Sequence, residues 1–130
     1  MAHYYTREEA EALLPQISVI LSAIQQERAA MVKSEDQLGA LETRARGNGY
    51  HLAEKIGQVQ RDLAQHLQTL RALAVELDDF DIELKDPETG LIDFLSLRDG
   101  REVYLCWQLG EKGIKFWHEL DAGFSGRQPL

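Results

Sequence analysis

Gly100-Arg101-Glu102-Val103-Tyr104-Leu105-Cys106-Trp107-Gln108-Leu109-Gly110-Glu111-Lys112-Gly113-Ile114-Lys115-Phe116-Trp117-His118-Glu119 reads as two β-strands joined by a tight turn. The stretch holds both tryptophans, the only cysteine and one of the four histidines. Gly110 and Gly113 flank Glu111-Lys112, and glycines at the ends of a short loop meet the positive φ of a hairpin turn without a Cβ clash. Pairing outward from that turn sets Leu109 opposite Ile114, Trp107 opposite Phe116 and Leu105 opposite His118. Alternation then predicts a core face of Val103, Leu105, Trp107, Leu109, Ile114, Phe116 and His118. The second face, carrying Tyr104, Cys106, Gln108, Lys115, Trp117 and Glu119, is mixed.

Two more strands precede this hairpin. Asp99-Gly100 between apolar runs is a strong two-residue hairpin signal, and it sets Arg98 opposite Arg101 and Phe94 opposite Leu105. Ile92 and Phe94 then fall on the core face, with Asp93 beside Cys106. Asp86-Pro87-Glu88-Thr89-Gly90 reads as a type I turn followed by a bulge. Ile82 and Leu84 join the core face if that bulge absorbs one residue. Residues 80–119 are thus expected to form an antiparallel meander of about four strands with one apolar face.

Residues 1–79 carry the helical period instead. Thr6 and Glu9 form a capping box, and Pro15 predicts a short first helix, then a break or kink with the proline opening a second helix. Ile17, Ile24, Met31, Leu38 and Ala45 recur every seven residues, joined by Ile20, Leu21 and Leu41. Arg46-Gly47-Asn48-Gly49 stops this stripe, and a matching one runs from Leu52 through Ile56, Val59, Leu63, His66 and Leu70 to Leu77. Two long amphipathic helices with a short link lie antiparallel. His66, on the stripe, is expected to bond a polar group across the seam, such as Glu27 or Ser34. The fold class is therefore α+β, a long antiparallel helical hairpin packed on a small antiparallel meander, with residues 120–130 as a glycine-rich tail that Phe124 and Leu130 could anchor.

A chain of 130 residues with 44% apolar and 28% charged residues suits a single domain spanning 1–130. Its net charge of −8 repels phosphate, which argues against nucleic-acid or anionic-membrane partners. A lone cysteine, no signal-peptide pattern and no long apolar run set the expectation of a cytoplasmic protein. Nothing matches a phosphate loop, a hydrolase elbow or a dinucleotide fingerprint.

One resemblance covers nearly the whole chain. It is carried by Thr6-Arg7-Glu8-Glu9-Ala10 with Leu13-Leu14-Pro15, by Lys85-Asp86-Pro87 with Gly90-Leu91-Ile92-Asp93-Phe94, and by Gly100-Arg101-Glu102-Val103 with Leu105-Cys106-Trp107. Gly110-Glu111, Trp117-His118-Glu119, Gly123-Phe124, Gly126-Arg127 and Pro129-Leu130 complete it. In these motifs the chain resembles the bacterial family called domain of unknown function 2203. The resemblance implies a small bacterial cytosolic protein and brings no reaction with it.

Asp93, Cys106, His118, Glu119 and Asp121 include each common type of metal ligand. The expected register argues against one ion, because it turns His118 to the core face and Asp93, Cys106 and Glu119 to the other. Glu111 lies roughly 20 Å from His118 at about 3.3 Å per residue. No metal ligand is therefore assigned and no cofactor is named. Cys106, with no base on its face, reads as a small buried strand residue. Trp117 is expected on the mixed face, covered by the tail or by a second copy, or walling a ligand pocket. Arg101 and Arg127, each following a glycine, could clamp an anion, although surplus carboxylates favour ordinary ion pairs.

The leading functional expectation is a non-enzymatic interaction or scaffolding module acting as a homodimer through its helix stripes and mixed sheet face. The alternative is a small metal- or ligand-dependent enzyme with a site around Asp93, Cys106, Trp117, His118 and Glu119. A small-molecule ligand would draw on the same residues with Arg101 and Arg127.

Overall fold

The computed structural model describes residues 2–48 and 50–130. The capping box forms as expected: the Glu9 amide donates to Thr6 Oγ1 at 3.1 Å and the Thr6 amide to Glu9 Oε1 at 3.0 Å. Helix α1 runs from there as Arg7–Asn48, 42 residues without a break at Pro15. The expected short first helix is thus corrected. Pro15 withholds one amide from Glu11, but its ring is exposed, while Ala10, Leu14, Ile17, Ile20, Leu21 and Ile24 on both sides of it are buried. Burying large apolar side chains yields about 1.5–3 kcal/mol each, which together outweigh the ~3 kcal/mol of an interior proline.

A single 3₁₀ turn, Tyr50–Leu52, leads into helix α2, Ala53–Asp79. Gly49, expected in this link, lies outside the described residues. The two helices form the expected antiparallel hairpin, and His66 Nδ1 lies 2.7 Å from Glu27 Oε2 across the seam. Their burial divides in two. The first half of α1 and the end of α2 share a core with the sheet, whereas Leu41, Leu52 and Val59 form a separate cluster at the far end. At 1.5 Å per residue α1 is about 63 Å long, so much of the hairpin extends beyond the sheet. No described helix is long and apolar enough to cross a membrane.

The sheet is antiparallel with strands in sequential order: β1 Ile82–Asp86, β2 Leu91–Arg98, β3 Arg101–Gln108, β4 Phe116–Glu119 and β5 Gln128–Pro129. The tail supplies the fifth strand, one more than expected. The β2–β3 register is the expected one, with Arg98 opposite Arg101, Phe94 opposite Leu105 and Asp93 opposite Cys106. Between β1 and β2 the register shifts after Leu84, so Ile82 and Leu84 do share the helix-side face. Tyr5 extends that edge, its amide donating to the Leu95 carbonyl at 2.8 Å and its own carbonyl accepting from Ser96 Oγ at 2.6 Å.

The β3–β4 register is one residue away from expectation. Tyr104 pairs with His118, Leu105 with Trp117 and Cys106 with Phe116. Leu109 and Ile114 do not pair with each other, because each finds another partner. The Leu109 amide donates to the Gly90 carbonyl at 3.0 Å, and the Ile114 amide donates to Glu11 Oε1 at 2.9 Å. Glu111 folds back so that its carboxylate accepts the Gln108 amide at 2.7 Å. The tight turn is therefore a longer loop over 109–115, and a slip of one residue turns every β4 side chain over. Trp117 joins the helix-side core, and Phe116 and His118 move to the outer face.

Candidate metal centre

On the outer face, strands β2, β3 and β4 each contribute one chemistry-bearing side chain. Asp93 lies directly across from Cys106, and His118 reaches the pair diagonally from its place opposite Tyr104. One oxygen, the sulfur and one nitrogen of the three lie within 4.8 Å of one another. The residues are 1%, 1% and 2% exposed. His118 therefore shares a face with Cys106 and Asp93, where the expected register had turned it to the core.

Hydrogen bonds fix the histidine. Its Nδ1 lies 2.7 Å from the Glu119 main-chain carbonyl, which can only accept, so Nδ1 carries a proton. Its Nε2 then faces Asp93 Oδ1 at 3.0 Å. Asp93 Oδ2 is buried and accepts no N–H or O–H bond among the described residues, and the Cys106 thiol is the donor beside the carboxylate. At the Nε2–Oδ1 contact two atoms that accept in their ordinary neutral-pH forms meet, so a proton on one of them or a bound cation must bridge the contact. Burial, and after it the Asp93 carboxylate, pushes the Cys106 thiol up to about 12 against the pull of Arg127. As a free thiol Cys106 is no nucleophile at neutral pH.

The trio opens on a pocket of about 280 Å³ walled by Lys85, Leu91 and the tail residues 120–124, Asp121 among them. Arg127 holds that wall in place. Its Nη2 donates to Glu111 Oε1 at 2.7 Å and to the Cys106 carbonyl at 3.4 Å, and its guanidinium lies over Phe116 and Phe124 at 4.1 and 4.7 Å. Arginine in an ion pair was the expected role, whereas Phe124, expected as an anchor, is half exposed and held by Arg127.

The remaining candidates lie elsewhere. Arg101 and Glu119 pair at 3.1 Å at the exposed edge of the sheet, so Glu119 gives the site only its main-chain carbonyl. Trp117 is a correction: it is 6% exposed on the helix-side face, with Arg98 stacked at 4.5 Å. It borders a separate pocket of about 350 Å³ shared with Tyr5, Ser96 and Leu105.

Two contributors escaped the sequence reading of the site. Tyr104, whose ring lies 5.5 Å from that of His118, is pushed up to about 12 by burial and then by its hydrogen bond to Glu83. Glu111, set aside in the sequence as too far from His118 to share an ion, ties the loop, the tail and β3 together.

A set of one sulfur, one imidazole nitrogen and one carboxylate oxygen is the donor chemistry of zinc-class ions. Tetrahedral bonds of about 2.0–2.2 Å hold an oxygen and a nitrogen roughly 3.3 Å apart, close to the Asp93–His118 separation. The bond from His118 Nδ1 to a main-chain carbonyl is the outer support that metal-bound histidines ordinarily have.

Among known proteins, a family model described as an uncharacterized conserved protein, DUF2203, matches residues 3–130. No curated protein and no solved structure matches the chain.

Proposed function

The chain belongs to the DUF2203 family, and from the geometry we propose that it is a cytoplasmic metalloprotein, binding one zinc-class divalent ion through Asp93, Cys106 and His118. The observation that carries the reading is the convergence of three buried ligand-type atoms, one each from Asp93, Cys106 and His118, within 4.8 Å of one another. Three protein ligands leave a fourth position, and the pocket beside the trio would admit water or a small substrate there. A zinc ion with an open position lowers the pKa of its bound water to about 7, which is the chemistry of hydrolysis and hydration. The bland alternative is a buried ion pair with Cys106 as packing.

Metal content separates the two. Protein purified without chelator, or stripped and titrated with zinc, is expected to hold one equivalent by mass spectrometry. Cys106→Ser, His118→Gln and Asp93→Asn should each lower zinc affinity at least tenfold while circular dichroism still reports a folded chain. Folded wild-type protein that takes up no zinc in either experiment would overturn the reading. The interaction role expected of the helical hairpin rests on other residues, along α1.

A further inference from the structure

The tail walls the outer face only beside Asp93 and Cys106, and a separate open surface lies on the helices. On α1, Arg28, Val32 and Glu35 follow one another at helical spacing and are exposed, Val32 by 57%. They edge a groove of about 400 Å³ floored by Ile24, Met31 and Leu70. Neither Arg28 nor Glu35 has an ion-pair partner among the described residues. The stripe is thus a cation, an apolar centre and an anion, spread over two helical turns.

We propose that this stripe is the contact between two copies of the chain, α1 against α1 in antiparallel orientation about a two-fold axis between Met31 and Val32. Arg28 and Glu35 stand equally far along the helix on either side of that axis. Arg28 therefore meets the partner subunit's Glu35, and Glu35 meets the partner subunit's Arg28. Val32 packs against the partner subunit's Met31. A surface of this kind is self-complementary, as an isologous contact must be, and this selects a second copy over an unrelated partner. The inference stands on residues remote from Asp93, Cys106 and His118, so it is independent of the metal reading.

Charge reversal tests it on the full chain. Sedimentation of the wild-type protein at micromolar concentration is expected to give a dimer mass. Arg28→Glu alone creates two like-charge contacts by symmetry, as does Glu35→Arg alone, and each should raise the dissociation constant about tenfold or more. The double variant Arg28→Glu/Glu35→Arg restores both pairs and should restore the dimer. Both positions of the experiment are solvent-exposed side chains, so circular dichroism should match the wild type throughout. A wild-type monomer up to roughly millimolar concentration, a dimer indifferent to the single reversals, or a double variant that stays monomeric would each overturn the proposal.

Discussion

His118 Nε2 lies 3.0 Å from Asp93 Oδ1 although neither side chain is more than 2% exposed. Removing one member of such a pair leaves the other buried without its partner. Asp93→Ala and His118→Ala are each expected to cost about 3–5 kcal/mol in metal-free protein, measured by urea unfolding. Replacing both by apolar residues of similar volume should cost less than the two single changes added together. Single-variant losses below about 1 kcal/mol would mean that the pair is not charged in the folded chain.

Gly90 offers a test of the register that aligns β1 with the rest of the sheet. Its φ is +73°, and a Cβ added there would stand 2.7 Å from Leu109 Cβ. Gly90→Ala is therefore expected to lose about 1–2 kcal/mol for the left-handed backbone alone, with the clash adding to it. Denaturant midpoints check this, and an alanine variant as stable as wild type would mean that the turn relaxes freely.

Glu11 gives the acid response a defined sign. The Ile114 amide, opposed by slight burial and helped by Arg7, holds its carboxyl below the ordinary 4.5. A carboxyl depressed in the folded state stabilises above its unfolded pKa, and that contribution is lost as pH falls through the folded value. Glu11→Gln should therefore melt below wild type at neutral pH, with the gap closing as the solution is taken below 4.5. A gap that stays constant across that range would show that the charge on Glu11 is irrelevant to the bond.

Local chemistry made most of the fold legible. Asp99-Gly100 fixed the β2–β3 register because its backbone, with φ of 53° and 77°, accommodates only a two-residue loop. Gly90 signalled the turn for the same kind of reason, whereas the absorbed residue is Lys85 on β1, where the register shifts, and not Gly90 as expected. The β3–β4 register was not legible, since it depends on the Ile114 amide bonding Glu11, 103 residues earlier. No spacing within the hairpin announces that bond. The error decided the site: alternation made Cys106 and Asp93 neighbours correctly, but a single residue of slip exchanged His118 for Trp117. Pro15 misled in the other direction, because a local rule about amides was overridden by apolar burial on both sides.

The bonds that close the molecule also bear on how it is made. Ser96 Oγ reaches Tyr5 across 91 residues and the Ile114 amide reaches Glu11 across 103. At a synthesis rate of about 5–20 residues per second, the opening turns of α1 wait roughly 5–20 s before their sheet partners exist. During that interval the nascent chain can zip α1 only against α2, from the link backward. The apolar side chains of the first turns lack their sheet partners until those strands leave the ribosome.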